Sequence, residues 1–385
     1  MQPHWTVRED CLEIAAMPFY WRLSDGSDAV PGIKARMPVR LQVNAEFDYL
    51  ELRLAADEQA CLDLAYRQNA NIGFINPESG QIGTYGASVN AFFLESVKAA
   101  QPTRIFEIGC GAGFSIEFMR QHGWQVTGID PSEYSVRWSE RLGFRLINEF
   151  FDAGALGLDA DFVFCNDVFE HVGAVADFSR QVCKALVPGG TFAFATTNST
   201  QSIQAGDISM LEHQHVNMFT EGSIIHILRA AGFDEVRVGR GNYGNTFHVQ
   251  ARKSHGRLLP ERNRANCDGY FERAQHRIES FGRLHAQLGG ACGYYVPLRC
   301  VPYLATVGDF GNHDLFDSNL SWRGKYIDGY ERAICSPQDI SPGKERAFFI
   351  GSTTFFEEIR TSLVAKGVPA ELVYGVSDLG DARSC

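Results

Sequence analysis

A short apolar run ending in an acid and three alternate glycines, Arg104-Ile-Phe-Glu-Ile-Gly-Cys-Gly-Ala-Gly-Phe114, limits the folds open to this chain more than any other stretch. Ile105, Phe106 and Ile108 have the length and bulk of a parallel strand covered on both faces. Ser115 to Gln121 has helical composition, with apolar Ile116, Phe118 and Met119. Gly109, Gly111 and Gly113 therefore fall where a strand becomes a helix. Glycine there lets the backbone turn sharply and approach a ligand without a Cβ in the way.

Two kinds of cofactor use such a turn. A dinucleotide site calls for G-x-G-x-x-G/A, with pyrophosphate on the helix N-terminus. Here the third glycine comes one residue early, and Glu107 lies two residues before the first. A carboxylate so placed repels pyrophosphate and suits a cationic cofactor such as S-adenosylmethionine, which carries a sulfonium and an α-ammonium. Asp130 follows Gly109 by 21 residues at the end of a second apolar run, Gln125 to Ile129, where an acid can accept the ribose hydroxyls. Pro131-Ser132 then reads as a helix start.

From 104 to 252 strands and helices alternate, which predicts an α/β fold with a doubly wound, mostly parallel sheet. Expected helices cover Tyr134 to Arg141, Ala174 to Leu186 and Ile224 to Ala231. Expected strands cover Arg145 to Ile147, Asp161 to Cys165, Thr191 to Thr196, Phe233 to Gly239 and Thr246 to Ala251. Asn166 and Asp167 end a buried strand, on the side where ligands bind in such sheets. Phe150, Phe151 and Asp152 follow the third strand, and the two phenylalanines read equally as core.

Three pieces in order, Glu107-Ile-Gly-Cys-Gly-Ala-Gly113, Gly128-Ile-Asp130-Pro-Ser and Asp161 to His171, resemble class I S-adenosylmethionine-dependent methyltransferases. That resemblance implies a Rossmann-like, seven-stranded sheet. Glu107, Gly109, Gly111, Gly113, Asp130, Pro131, Phe151 and Asn166 are then the cofactor-binding candidates. Further along, Asp317 to Tyr326 and Ala333 to Ile340 resemble the C-terminal domain of bacterial nucleotide-sugar C-methyltransferases. His213-Gln214-His215, with Phe219-Thr220, looks like that family's His-Glu-His run. The resemblance implies methylation at carbon of a nucleotide-linked keto-deoxysugar through a base-generated enolate. Histidine suits such a base. The catalytic candidates are His215, with His213 or Tyr85 positioning the substrate oxygen. Gln214, Arg299, Arg323 and Lys325 are candidates for holding substrate, the cations because a diphosphate needs them. His171, in a Glu-His pair common across the superfamily, is assigned a structural role.

Departures from that pattern leave alternatives open. The family's four-cysteine zinc site is reduced to Cys11 and Cys61, so no metal is expected, and Gln214 replaces the central glutamate. The run Gly289 to Tyr295 also differs from the usual one. Another small polar acceptor, methylated at oxygen or nitrogen, or a non-catalytic protein that kept the cofactor fold, fits the same residues.

At 385 residues the chain exceeds one core, and the expected division is a β-rich region 1–87, a methyltransferase domain 88–252, a connecting helix 253–290 and a smaller C-terminal α/β unit 291–385. Helix Ser88 to Ala99 should follow a glycine-rich loop, Gly80 to Gly86, in which Tyr85 folds over the ligands. In the last unit, Leu304 to Phe310, Ala347 to Ile350 and Glu371 to Tyr374 read as strands and Thr354 to Lys366 as a helix. A net charge of −11 argues against a nucleic-acid partner. Ten cysteines without a C-x-x-C argue for free thiols. No signal peptide or membrane span is recognised, so a soluble cytoplasmic protein, monomer or homodimer, is expected.

Overall fold

The computed structural model describes residues 4–19, 23–24, 31–68, 81–242, 245–254, 266–288, 292–310, 313–327, 329–340 and 346–380. Gly80, the first residue of the glycine-rich loop, and Gly289 and Gly290, which open the run before Tyr295, lie outside the described residues.

The glycine turn closes strand Ile105–Ile108 of a seven-stranded sheet. Its order is Phe233–Arg240, Thr246–Lys253, Leu186–Thr197, Ala160–Asn166, Ile105–Ile108, Val126–Ile129, Arg145–Ile147. The last five strands in that order are mutually parallel, and Thr246–Lys253 runs antiparallel to both its neighbours. Alternate side chains of one buried strand feed opposite faces. Phe162 and Phe164 meet Val89, Phe93, Ile116 and Met119, whereas Val163 and Cys165 meet the cluster of Val182, Ile224 and Ile227. Each fully buried phenylalanine contributes about 1.5–3 kcal/mol, so covering both faces is what stabilises the parallel sheet.

The helix before the sheet spans Gln81–Ala100, seven residues longer at its start than the sequence suggests. Tyr85 thus sits in a helix and not in a loop. Tyr85, Val89, Phe93 and Val97 recur every four residues and are all buried. That stripe outweighs the cost of about 1 kcal/mol for each glycine at 83 and 86.

The N-terminal region forms a five-stranded antiparallel sheet, Trp5–Val7, Cys11–Pro18, Arg36–Asn44, Tyr49–Leu52 and Asn217–Met218. Its fifth strand comes from the loop after His215. Asn217 pairs with Glu51 and Met218 with Leu50, and Leu52 N donates to Val216 O at 2.8 Å, which fixes the histidine loop.

The C-terminal unit is a second sheet, all parallel, ordered Ile334–Cys335, Asp314–Phe316, Gly293–Tyr295, Phe348–Ile350, Val373–Gly375. Its first strand lies in the glycine-aromatic run. The strand expected at Leu304 to Phe310 is instead the end of a helix, Pro297–Val307. Eight of that helix's eleven residues are buried, so it lacks the polar stripe that marks a helix in sequence. One continuous core joins the N-terminal sheet (Leu12, Val39, Leu50), helix Tyr270–Leu288 (Ile278, Phe281) and the C-terminal unit (Tyr303, Leu315, Phe349). Among the described residues no helix is long and apolar enough to cross a membrane, and nine cysteines are free thiols.

Candidate active site

Gly109, Gly111 and Gly113 have φ of 69°, 50° and 71°, in the left-handed region that a side chain disfavours. A Cβ on Gly109 would lie 2.4 Å from Val168, and one on Gly113 would lie 2.3 Å from the Phe144 ring. The turn is clamped to the next strand by Asp130. Gly111 N donates to Asp130 Oδ2 at 2.9 Å, and Ser132 N and Oγ donate to Oδ1 at 2.9 and 2.6 Å. The ribose role expected of Asp130 is therefore narrowed, because three donors already occupy the carboxylate and Oδ2 retains the free lone pair. Half-buried Pro131 lies between Asp130 and Ser132, which caps helix Glu133–Leu142.

Glu107 is buried, and its Oε2 has no hydrogen-bond partner. Burial first, then the Asp130 charge, push its carboxyl well above the usual range. A buried acid with one unpartnered oxygen, next to a glycine turn, is what a cationic ligand needs, and S-adenosylmethionine suits it.

Phe151 turns into the core against Phe178, ring centroids 5.7 Å apart. Phe150 is the exposed one, with the Arg67 guanidinium 4.7 Å over its ring. Phe151, expected among the cofactor-binding residues, is thus taken up by the core, and Phe150 is the ring left at the surface.

At the end of Ala160–Asn166, Tyr85 donates to Asp167 Oδ1 at 2.7 Å and to Asn166 Oδ1 at 3.2 Å, and Asn166 Nδ2 donates to Asp167 Oδ2 at 2.7 Å. Burial first, then the Glu170 charge, raise Asp167 to about 6. Glu170, fully buried, accepts from Thr196 Oγ1 at 2.8 Å. Ligand atoms of Glu170, His171 and His215 lie within 4.8 Å of one another.

His215 Nδ1 bonds Glu212 Oε1 at 2.7 Å. Burial works against the imidazolium, but Glu212 outweighs it with help from Glu170, so the pKa of His215 rises above its ordinary value. Glu212 falls to about 2 because His215 more than offsets its burial. His171, assigned a structural role from sequence, belongs to this cluster. Its ring lies 4.9 Å from His215, its Nδ1 is 2.7 Å from the Gln214 carbonyl and 3.2 Å from Tyr66 Oη, and burial lowers it to about 4. Gln214 thus contributes backbone here.

Two sequence expectations need correcting. His213 does not join His215: it is buried against the N-terminal sheet, Nε2 bonded to Met37 O at 3.1 Å and ring edge-on to Phe19. A turn at residues 213–214, closed by His215 N donating to Glu212 O at 3.2 Å, sends the two rings to different sides. The three basic residues also part company. Arg299 donates to Ser209 O at 3.4 Å and its charge bears on Glu212 and His215, whereas Arg323 is exposed and paired with Asp339 at 2.5 Å. Half-buried Lys325 belongs to the same turn as Arg323, its N–H bonded to Trp322 O. Sequence reasoning missed Glu212 and Glu170, and placed Asp167 at the ligand side of the sheet without giving it a role. The Glu212-x-x-His215 spacing was the available signal for the first.

Residues 82–238 match a family model described as a methyltransferase domain. This chain carries a class I methyltransferase domain. Its cofactor is S-adenosylmethionine. The domain is 29% identical over 160 residues to a ubiquinone biosynthesis O-methyltransferase of Hydrogenovibrio crunogenus, covering 39% of this chain and 66% of the relative. The counterpart from Methylocella silvestris is 40% identical over 105 residues, covering 25% and 41%. The chain therefore spans less than two thirds of these relatives. Among solved structures, a methyltransferase from Mesorhizobium loti aligns at 20% identity with a TM-score of 0.34, covering 42% of this chain and 98% of that one. The plantazolicin methyltransferase BpumL in complex with SAH aligns at 16% and 0.37, covering 44% and 84%.

Proposed function

We propose that the chain methylates a small acceptor at an acidic hydroxyl, with His215 as the base. The observation that carries this is the Glu212–His215 pair, with a raised histidine pKa, at the sheet edge that follows the glycine turn. When bound, S-adenosylmethionine supplies an electrophilic methyl group on a positively charged sulfur. Glu107, beside the glycine turn, offers its unpartnered Oε2 to the cofactor's cationic end. With Nδ1 engaged by Glu212, His215 keeps Nε2 to take the acceptor's proton, and Glu212 stabilises the imidazolium that results. Arg299, whose charge reaches the same pair, suits an anionic oxygen on the acceptor. The similarity to O-methyltransferases of ubiquinone biosynthesis supports oxygen as the methylated atom and a hydroxylated ring as the acceptor class.

A second reading keeps carbon methylation of a nucleotide-linked keto-deoxysugar. It is favoured by the C-terminal unit, a five-stranded parallel sheet whose strand order reverses between Gly293–Tyr295 and Phe348–Ile350. Ligands bind at such reversals. Arg299 and Asp317, the latter raised to about 6 by burial, follow strands of that sheet.

The test is turnover of hydroxylated aromatic and keto-sugar nucleotide panels in deuterated water, read by mass spectrometry. A product 14 mass units heavier, with no deuterium at carbon, supports the first reading. Cofactor-independent deuterium uptake by the sugar, abolished in His215→Ala, moves the assignment to the second.

A further inference from the structure

On the far side of the C-terminal unit, three ligand-bearing side chains converge where the proposed reaction has no use for them. His285 lies in the last turn of helix Tyr270–Leu288, Asp309 follows the turn that closes helix Pro297–Val307, and His313 immediately precedes strand Asp314–Phe316. His285 Nε2 and His313 Nε2 lie 3.4 and 2.9 Å from the same oxygen, Asp309 Oδ2, and the three ligand atoms fall within 4.8 Å of one another. We propose that His285, Asp309 and His313 bind a divalent cation of the zinc class, which clamps helix Tyr270–Leu288 to the C-terminal sheet.

The spacing suits a tetrahedral ion. Ligands at about 2.0–2.1 Å from zinc sit about 3.3 Å apart, and the two measured separations bracket that value. Two imidazoles and a carboxylate are the donor set that zinc accepts, and harder ions such as magnesium favour all-oxygen sites.

Supporting contacts orient the rings for Nε2 ligation. Tyr294 Oη lies 2.9 Å from His285 Nδ1, the outer partner that fixes a ligating imidazole. His313 is fully buried and its Nδ1 has no oxygen or nitrogen partner, but its ring meets Tyr294 edge-to-face at 5.0 Å. Its Nε2 faces Asp309, so the ring tautomer with its proton on Nδ1 presents a lone pair for the ion. Without the ion the 2.9 Å contact is an Nε2–H hydrogen bond to Asp309, and metal binding displaces that proton.

Three protein ligands leave one coordination position, on the side where the Asp309 side chain is 32% exposed. His4 packs on Gly308, one residue before Asp309, and is a further nitrogen donor at that turn. The cluster stands at the N-terminal edge of its sheet, opposite the edge where such sheets bind substrate, so the ion's role is structural.

The full-length protein, stripped with chelator, is titrated with zinc alone by calorimetry and with cobalt by visible absorbance. His215→Ala serves as the background, because Glu170, His171 and His215 form a second group of potential ligands. One equivalent of zinc is expected in that background, with a tetrahedral cobalt spectrum and a rise in Tm. Adding Asp309→Asn or, at the more peripheral ring, His285→Asn should weaken binding by at least about 100-fold, since even outer partners of a metal cost 10- to 100-fold. Absence of saturable binding, or zinc affinity unchanged in both folded double variants, overturns the proposal and leaves a hydrogen-bonded His-Asp-His group.

Discussion

His215 Nδ1 sits 2.7 Å from Glu212 Oε1, three residues earlier on the same loop. The pair sets a pH dependence. His215 must be neutral to accept a proton, and its pKa is raised, so kcat/KM should climb with pH through a limb above about 6.5, the ordinary value. Glu212→Gln removes the carboxylate that holds the pKa up against burial. The limb should move to lower pH, and the plateau rate should fall about 10- to 100-fold because the ring loses both orientation and charge compensation. A pH–rate profile of the variant that superposes on the parent's would dissociate Glu212 from the reaction.

Arg299 should act with the opposite sign. Its charge lowers His215, so Arg299→Met should displace the acidic limb upward while KM for an anionic acceptor rises about tenfold. The same profile measures both. A downward displacement would mean that the guanidinium does not face the histidine in solution.

Glu107 carries a cost that ligand binding relieves. Its folded pKa is raised above the unfolded value, so its contribution to stability is full below about pH 4.5 and is lost as pH rises toward the folded pKa. Glu107→Gln should therefore raise the Tm of the ligand-free protein at pH 8, with the gain shrinking toward pH 5. Affinity for S-adenosylhomocysteine should fall about 10- to 100-fold, the worth of a charge-assisted hydrogen bond. Calorimetry and thermal melts on one preparation decide it, and unaltered affinity removes Glu107 from the cofactor's contacts.

What could be read from the sequence were the elements whose own residues decide them. Ile105 to Ile108 is apolar and closed by glycines, and its fate is local. The C-terminal helix Pro297–Val307 was misread because burial on all sides erases its periodicity. Glu212 went unnoticed because its partner is defined by a loop conformation, and that conformation depends on Asn217 and Met218 pairing with Glu51 and Leu50, more than 160 residues away in sequence. His213 was grouped with His215 on adjacency, whereas the N-terminal sheet that takes it up is known only once the chain is folded.

The turn glycines are differently constrained. Gly113→Ala forces a left-handed φ of 71° on a residue with a Cβ and drives that Cβ to 2.3 Å from Phe144. Strain of about 1–3 kcal/mol is expected, with further loss from displacing the ring. Urea denaturation should show a lower midpoint at unchanged slope. Adding Phe144→Leu should recover part of the loss, which a purely backbone effect would not allow.

Tyr85 and Asp167 give a stability effect that depends on pH. Asp167 is raised to about 6 by burial and by Glu170, so its favourable contribution is present below the ordinary carboxylate range and is lost as pH rises through about 6. The 2.7 Å bond from Tyr85 opposes that loss, because the hydroxyl donates to the ionised form. Tyr85→Phe withdraws the donor from a buried carboxylate. At pH 8 it should cost about 1.5–3 kcal/mol, the range for a hydrogen bond to a charged group. At pH 5, where Asp167 is largely protonated, the cost should be smaller. Denaturation at the two pH values separates this from simple packing: an equal penalty at both would show that the hydroxyl is not paired with a titrating Asp167.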